Sequence, residues 1–453
     1  MPQLLKSVLI ANRGEIALRI IRACKELGIR SVLAHSEADA NSLPVRLADQ
    51  AVCVGTAHPK SSYRNPQAIL GAALAFKIDA IHPGYGFLSE NADFVEMCEK
   101  EGVGFVGPAS HVIRSMGDKI EAKKIAHRAK VPTVPGSIGA ISDYQEALAV
   151  ASDVGYPLLI KAAAGGGGRG MRVVRSPDTL KKDLSEIMSE AEVAFNDPSV
   201  YIERYLVDIR HIEIQVISDG EQTLHLGERD CTAQRRNQKL IEESPSFALN
   251  PELREGLAAA AVALCREVGY RNAGTVEFVF DNIERQYYFI EMNTRIQVEH
   301  PVTEMVTGVD LIKLQLQIAS GIPLALRQED IRLRGHAIEC RINAEDPDHA
   351  FAPSPGTIHN FRAPGGFGVR LDTHIETNYV IPPFYDSMVG KLICWGNNRD
   401  EAIARMLLAL DELVIDGVTT TAQFHKRVLD HPRFRDGQFN TAFVASLLEG
   451  SPA

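Results

Sequence analysis

The N-terminal stretch alternates a strand, a helix and a second strand, and this pattern restricts the possible folds more than any other feature. Residues 7–11 are a short apolar run, residues 16–27 have the spacing of an amphipathic helix, and residues 30–35 are again strand-like. Gly28 follows the helix, where a left-handed residue commonly ends one. The pattern predicts a βαβ unit and a parallel sheet. The turn holds one glycine, Gly14, so it lacks a dinucleotide fingerprint, and we interpret the unit as a scaffold.

The composition indicates the class of protein and excludes some partners. A chain of 453 residues is long enough for more than one domain, and 45% hydrophobic with 23% charged residues is typical of a soluble globular protein. A net charge of −10 argues against nucleic acid as the main partner. The 7 cysteines form no C-x-x-C pair, which indicates reduced thiols and a cytoplasmic location. The sequence has neither a membrane-length apolar run nor a signal-peptide pattern, so we expect no membrane partner.

The run from Glu291 to Pro301 has the most unusual chemistry in the chain. On an extended strand, one face would carry alternate polar residues, which are Glu291, Asn293, Arg295, Gln297 and Glu299. Full extension would separate Glu291 from Glu299 by about 26 Å at about 3.3 Å per residue, too far for one small site. Either the two glutamates serve different sites or the chain bends after about Arg295, and we favour the bend. The alternative is a polar strand end with an incidental ion pair.

The types of residue in this run point to a metal and an oxyanion. Carboxylate and amide oxygens, as in Glu291 and Asn293, suit Mg²⁺. The guanidinium of Arg295 can hold a planar oxyanion, and Glu299 can act as a base on it. A strand over residues 274–280 carries Glu277 and is expected to pair with the strand before Glu291. Two facing carboxylates repel each other unless a cation lies between them.

A lysine-bearing strand precedes a glycine tract. Residues 156–161 are strand-like and end at Lys161, and residues 165–168 are all glycine. Consecutive glycines favour neither a helix nor a stable strand, and their N–H groups can wrap phosphates. The lysine precedes the glycines, so this is not a Walker loop. A plain hairpin tip is the alternative, but Lys161 favours a phosphate-binding flap.

Two other stretches, one charged and one rich in glycine, allow two interpretations each. The stretch 228–239 contains three arginines and one lysine; a solvated charged loop is the default interpretation, and an anion site with neutral amide donors is the alternative. Residues 82–90 form either a structural turn or a ligand loop.

Residues 211–215 alternate like an edge strand. Lys119 lies in the first turn of a predicted helix, where a cation is unfavourable unless an anion is near.

The order of these features resembles the ATP-grasp superfamily, and several stretches are similar to biotin carboxylase. These stretches are H-P-G-Y-G-F-L-S-E-N, G-G-G-R-G-M, Q-R-R-N-Q-K, E-M-N-T-R-I-Q-V-E-H-P-V-T-E and E-C-R-I-N-A-E-D-P. The resemblance extends from about Val8 to beyond Gly417. It implies an α/β fold (α+β overall) with a Rossmann-like N-terminal domain at 1–115, an ATP-grasp domain at 116–333 with a mobile lid at about 132–205, and a β-rich C-terminal domain at 334–447.

The resemblance also implies ligands and residue roles. It implies ATP with two Mg²⁺ or Mn²⁺ ions, and the implied nucleotide-binding residues are Lys119, Lys161, Gly167, Gly168, Met171, Glu203, Arg204, Tyr205, Leu206, His211, Gln234, Asn237, Glu277 and Glu291. Among them, residues 203–206 would contact adenine and His211, Gln234 and Asn237 would face the ribose. The implied metal ligands are Glu277, Glu291 and Asn293.

A second group of implied residues concerns bicarbonate and biotin. The implied substrate-binding residues are Lys239, Arg295, Gln297, Val298 and Arg341, and the implied catalytic residues are Arg295, Glu299, Lys239 and Arg341. Glu299 would deprotonate bicarbonate, and we expect partial desolvation to raise its pKa toward that task. Arg341 would stabilise the enolate of the biotin ureido group.

The implied activity is that of an ATP-dependent ligase that carboxylates carrier-bound biotin through carboxyphosphate. Implied partners are a biotin carboxyl carrier protein, carboxyltransferase subunits and a second copy of the chain in a homodimer. The expected context is a multisubunit acyl-CoA carboxylase, with acetyl-CoA and fatty acid biosynthesis foremost; other acyl-CoAs, pyruvate and urea stay open as acceptors. The alternatives are another ATP-grasp ligase and a nucleotide-sensing protein without catalysis.

Two residues depart from the pattern of the family. Asn237 stands where the family usually has histidine, and Ala164 stands where the flap usually has a further glycine. An amide can replace the hydrogen bond of a neutral imidazole, so we expect nucleotide binding to be retained. Neither residue belongs to the implied metal or bicarbonate groups.

Overall fold

The N-terminal part folds as a parallel sheet covered by helices. The computed structural model describes residues 3–141, 143–163 and 170–449. The first elements are β1 (Ser7–Ile10), α1 (Gly14–Leu27), β2 (Arg30–Ser36), α2 (Leu43–Leu47), β3 (Gln50–Gly55), α3 (Pro66–Ala75), β4 (Ala80–His82), α4 (Ala92–Lys100), β5 (Gly104–Phe105) and α5 (Ser110–Gly117). The strands pair in parallel in the order β3–β2–β1–β4–β5. The predicted βαβ unit is confirmed, and Gly28 adopts the left-handed conformation with φ 70°.

The middle of the chain builds a small antiparallel sheet and most of a large one. Its elements are α6 (Lys119–Arg128), α7 (Tyr144–Val154), β6 (Leu158–Ala162), β7 (Met171–Val174), α8 (Pro177–Phe195), β8 (Val200–Arg204), β9 (Ile209–Ser218), β10 (Thr223–Arg235), β11 (Gln238–Ser244), α9 (Pro251–Glu267), β12 (Asn272–Asp281), β13 (Gln286–Asn293), α10 (His300–Thr307) and α11 (Leu311–Ala319). Strands β7–β6–β8 form the small sheet, and their apolar side chains pack with those of α7 and α8. This unit falls in the predicted lid, whose mobility stays a prediction. The glycine tract 165–168 and Ala164 lie outside the described residues.

The last part of the chain extends the large sheet. Its elements are β14 (His336–Asn343), β15 (Glu345–Asp346), β16 (Ala352–Pro353), β17 (Gly356–Thr357), β18 (Asn360–Arg362), β19 (Val369–Thr373), β20 (Val380–Ile381), β21 (Met388–Gly396), α12 (Arg399–Glu412), β22 (Val414–Asp416), α13 (Ala422–Asp430), α14 (Pro432–Arg435) and α15 (Phe443–Glu449). The large sheet runs in the order β13–β12–β9–β10–β11–β14–β21–β19. The sheet therefore continues across the predicted boundary at 333/334, and the domain boundaries stay predictions. Among the described residues, no helix is long and apolar enough to span a bilayer.

Two local predictions are wrong. The stretch 228–239 is a hairpin of β10 and β11 that is buried from 228 to 234 and exposed at 236–238, not a solvated loop. Arg229 and Lys239 find a carboxylate partner on β9, Glu213. Residues 211–215 belong to β9, which is flanked by β10 and β12 and is therefore an interior strand. The polar side chains of this stretch share one face, on which His211 lines the cavity and Glu213 and Gln215 accept from the buried Arg229.

Candidate active site

A cavity of about 1230 Å³ lies between the N-terminal sheet, the small sheet and the large sheet. Every described residue to which the sequence assigned a site role lines it: Lys119, Lys161, Met171, Glu203, Arg204, Tyr205, Leu206, His211, Gln234, Asn237, Lys239, Glu277, Glu291, Asn293, Arg295, Gln297, Val298, Glu299 and Arg341. The remaining two, Gly167 and Gly168, lie outside the described residues. The structure therefore brings distant parts of the chain to one concave surface, the default location of a ligand site.

The predicted bend is present at one edge of this cavity. Strand β13 ends at Asn293, and α10 begins at His300. The turn thus begins about two residues before the predicted position. The alternating polar face that the sequence predicted therefore ends at Asn293, with the strand. Arg295 lies within the bend, where its Nε donates to Glu90 Oε2 at 2.9 Å and its Nη2 donates to Asn293 Oδ1 at 2.9 Å. Glu90 belongs to the stretch 82–90, so this contact favours its interpretation as a ligand loop.

Two carboxylates face each other across β12 and β13. Glu277 pairs in register with Glu291, as predicted. Burial and the nearby charge of Glu277 raise the pKa of Glu291. Although burial opposes it, the charges of Lys239 and His211 hold the pKa of Glu277 well below its usual range. The Nε2 atom of His211 lies 2.7 Å from Glu277 Oε2. His211 therefore contacts Glu277, although the resemblance placed it near a ribose.

Lys239 is surrounded by carboxylates. Its Nζ donates to Glu213 Oε2 at 2.6 Å, to Glu277 Oε1 at 2.9 Å and to Glu299 Oε1 at 2.7 Å. The other oxygen of Glu299, Oε2, accepts from Arg341 Nη2 at 3.0 Å. Glu299 thus lies between two cations, of which the resemblance assigned Lys239 to bicarbonate and Arg341 to biotin.

The expected rise in the pKa of Glu299 is wrong. Burial does act in that direction, but the charges of Lys239 and Arg341 outweigh it and hold the pKa below its usual value. Arg341 also donates from Nε to Glu242 Oε1 at 2.6 Å. Burial raises the pKa of Glu242 to about 7, although the charge of Arg341 opposes that rise.

Lysines gather around Glu203 in another part of the cavity. The Nζ atom of Lys161 lies 2.5 Å from Glu203 Oε2, and Lys123 pairs with the other oxygen of the same carboxylate. The side chain of Glu203 therefore faces the lysines, while the chain beyond it continues to Tyr205 and Leu206 on the cavity wall. Burial lowers the pKa of Lys119 and of Lys123. These lysines lie one helical turn apart on α6, so the spacing i, i+4 could have revealed Lys123.

Asn237 lies at the tip of the hairpin between β10 and β11. Arg236 and Asn237 both have positive φ angles, 48° and 64°. A two-residue hairpin turn of this kind requires left-handed residues, and asparagine tolerates that conformation well. Asparagine at position 237 therefore suits the left-handed backbone of the turn, and its side chain also lines the cavity.

Sequence reasoning missed several residues of the site. Arg229 and Glu213 lie beneath the cavity floor, Glu242 contacts Arg341, and Thr441 and Ala442 line the wall near β9. The period-2 alternation of β9 could have identified Glu213, since it is in phase with a predicted site residue. The C-terminal residues carry no comparable sequence signal.

Family models match three successive parts of the chain. Residues 4–113 match the family described as biotin carboxylase, N-terminal domain; residues 118–327 match carbamoyl-phosphate synthase L chain, ATP binding domain; and residues 339–446 match biotin carboxylase C-terminal domain. The chain is 55% identical over 442 residues to biotin carboxylase 1 of Bacillus subtilis, covering 97% of this chain and 98% of the relative. It is 54% identical over 447 residues to the biotin carboxylase of Pseudomonas aeruginosa, covering 98% of this chain and 99% of the relative.

Solved structures have the same fold over nearly the whole chain. A biotin carboxylase complex with β,γ-ATP from Campylobacter jejuni has a TM-score of 0.93 and 48% identity, covering 97% of this chain and 98% of that one. The biotin carboxylase domain dimer of Hydrogenobacter thermophilus 2-oxoglutarate carboxylase, in complex with MgADP, ADP and bicarbonate, has a TM-score of 0.92 and 48% identity, covering 98% of each. The predicted family and fold class are confirmed. The chain belongs to the biotin carboxylase family.

Proposed function

We propose that this chain is an ATP-dependent ligase that carboxylates biotin on a carrier protein with bicarbonate. One observation carries the proposal: Glu299 lies between Lys239 and Arg341, in the same cavity as the facing pair of Glu277 and Glu291. A base between two cations suits an anionic substrate that must lose a proton. The family supplies the identity of the substrates, and the relatives bound to MgADP and bicarbonate support the same ligands here.

In the first stage, Lys239 and Arg295 attract bicarbonate, with Gln297 and the backbone at Val298 beside it. The carboxylate of Glu299 accepts the bicarbonate proton, and a bicarbonate oxygen attacks the γ-phosphorus of ATP. The bond from that phosphorus to the β,γ-bridging oxygen breaks, so ADP leaves and carboxyphosphate forms. The protein contributes position and charge, as in other phosphoryl transfers.

In the second stage, carboxyphosphate breaks down to CO₂ and phosphate. The released phosphate accepts the proton from N1 of biotin, and N1 attacks CO₂ to give carboxybiotin. Arg341 faces the ureido oxygen, where negative charge develops as the proton leaves. Its guanidinium is already fixed by Glu242 through Nε, so the stabilising charge requires little rearrangement.

The residues present fit a nucleotide with a magnesium ion. Glu277 and Glu291 face each other and Asn293 adds an amide, a set of oxygen ligands that a hard cation prefers. A bound Mg²⁺ neutralises phosphate charge in such sites. In this structure, Lys239, His211 and the amides of Asn293 and Gln297 contact the Glu277 carboxylate. The cavity also offers Lys119, Lys123 and Lys161 to the phosphates, and residues 203–206 to the adenine.

The wider context is part of the same proposal. We propose a homodimer, a separate biotin carboxyl carrier protein and separate carboxyltransferase subunits, with an acyl-CoA, foremost acetyl-CoA, as the final acceptor. The dimeric relative supports the first of these. All 7 cysteines are unpaired, which supports a reducing cytoplasmic location.

The test is ADP release by the purified chain with Mg²⁺ and ATP. We expect release to require bicarbonate and to rise further with free biotin or a biotinylated carrier. Release that is indifferent to both additions would refute the proposal. Release stimulated by another carboxylate would indicate a different ATP-grasp ligase, and ATP binding without release would indicate a nucleotide-sensing protein.

A further inference from the structure

Arg229 is a completely buried guanidinium beneath the cavity floor. It lies on β10, its side chain is 0% exposed, and it does not line the cavity. A guanidinium has five N–H donors, and each finds an acceptor. Nε donates to Glu213 Oε1; Nη1 donates to Gln215 Oε1 at 2.7 Å and Thr303 Oγ1 at 2.9 Å; Nη2 donates to Thr275 Oγ1 at 3.1 Å and Gln297 Oε1 at 2.7 Å. The group is therefore held from several elements and has no N–H left for a ligand.

The hydrogen bond from Arg229 determines how the amide of Gln297 is oriented. Arginine carries only donors, so the atom of Gln297 that faces Arg229 must be the oxygen. The amide nitrogen is then turned toward the cavity, where it donates to Glu277 Oε1 at 2.6 Å. One of its two hydrogens remains for a further acceptor. With the amide reversed, the oxygen would face the Glu277 carboxylate, and the donor toward an anion would be lost.

The same guanidinium positions Lys239 through a shared carboxylate. Glu213 is fully buried, accepts from Arg229 through Oε1 and accepts from Lys239 through Oε2 at 2.6 Å. A buried carboxylate is stable only with its partners in place. Arg229 therefore fixes one side of Glu213, and the other side directs the ammonium of Lys239.

We propose that Arg229 is a positioning residue of the bicarbonate site, which orients Gln297 directly and Lys239 through Glu213. The inference rests on the proposed function, because it assigns bicarbonate to these two side chains. It predicts that Arg229 matters for bicarbonate more than for ATP, whose proposed phosphate contacts at Lys119 and Lys161 it does not touch.

The test compares Arg229→Lys with a matched control, Arg399→Lys. Arg399 is also a buried arginine, 8% exposed, that donates to a buried carboxylate, Glu243, at 2.6 and 3.2 Å. It does not line the cavity. Bicarbonate-dependent ADP release is measured at varied bicarbonate and at varied ATP, together with thermal unfolding of each variant.

We expect Arg229→Lys to lower kcat/KM for bicarbonate by about tenfold to a hundredfold, the scale of a small misplacement of positioning groups. The KM for ATP should change little, and Arg399→Lys should match the unmodified chain in both constants. In a Gln297→Ala background, Arg229→Lys should lower kcat/KM for bicarbonate by a smaller factor, because Arg229 can then act only through Glu213 and Lys239. A merely structural role predicts an equal loss in both backgrounds, which would overturn the inference.

If Arg229→Lys does not fold, Thr275→Val carries the test, because Thr275 accepts from the same Nη2 that donates to Gln297. A folded Thr275→Val chain should lose bicarbonate kcat/KM in the same direction by a smaller factor, and an unchanged value would overturn the inference. An unmodified chain without bicarbonate-dependent ADP release would refute the proposed function instead. An active unmodified chain with equal constants in the Arg229 and Arg399 variants would refute the positioning role alone.

Discussion

Replacing Glu299 with glutamine removes a carboxylate that lies between two cations without changing the shape of the side chain. Lys239 keeps Glu213 and Glu277 as partners, and Arg341 keeps Glu242. Neither of these two cations is left unpaired, so we expect the fold to survive. The variant therefore isolates the proton transfer.

The expected size of the effect follows from the role of a general base. Such a base contributes about 10²–10⁴ in rate, which corresponds to roughly 3–5 kcal/mol of transition-state stabilisation. The low pKa of Glu299 makes it a weak base as long as Lys239 and Arg341 bind it. Transfer of Lys239 to bicarbonate would lower the pKa of the bicarbonate proton and let that of Glu299 rise. Lys239 thus acts on both partners of the proton transfer.

The assay is bicarbonate-dependent ATP cleavage without biotin, which reports the first chemical stage alone. We expect kcat of Glu299→Gln to fall by about 10²–10⁴ while ATP still binds. The KM for bicarbonate should not rise, because the substitution removes a negative charge from an anion site. Arg295→Ala is the matched contrast, since loss of the proposed anchor should raise that KM. A Glu299→Gln rate equal to that of the unmodified chain would show that another group, such as Lys239 or a water, is the base.

Two further predictions concern the hairpin tip and stability. Asn237→His should change the KM for ATP more than kcat, since neither side chain is proposed to transfer protons. Asn237→Gly keeps the left-handed turn and is the control. A change in kcat with an unchanged KM for ATP would contradict the prediction. Burial acts to raise the pKa of Glu243, but the charge of Arg399 and a hydrogen bond with His336 outweigh it and lower this pKa from 4.5 to about 2. The shift is worth roughly 3 kcal/mol of folding stability. Because the folded pKa is the lower one, this stability is present above pH 4.5 and is lost as pH falls toward about 2. Urea unfolding should therefore show that Glu243→Gln is less stable at neutral pH and that the deficit shrinks in acid; a deficit independent of pH would contradict the linkage.

The sequence could predict the parts of the site that depend on local spacing. The expected hairpin of two neighbouring strands placed Glu277 opposite Glu291, and the extended length of the run favoured a bend before Glu299. The burial of most of the hairpin 228–239 was missed because a count of charged residues does not show which side chains will pair with them. The acceptors of Arg229 lie on β9, β12, α10 and the bend. Such a set depends on tertiary packing, and no spacing in the sequence encodes it.

The large sheet explains why the C-terminal part of the chain belongs to this site. Arg341 on β14 and Lys391 on β21 are directly opposite each other in the antiparallel register, so their side chains share one face. Arg341 Nη2 donates to the Glu299 carboxylate at 3.0 Å, and Lys391 Nζ donates to the backbone oxygen of Val298 at 2.8 Å. Two neighbouring cations thus hold two consecutive residues of the bend. Lys391 is fully buried and also lies 3.2 Å from Glu15 Oε1 at the start of α1. The proposed base is therefore positioned by strands of the C-terminal part and connected through Lys391 to helix α1 of the N-terminal part, so the geometry of the bend requires all three parts of the chain.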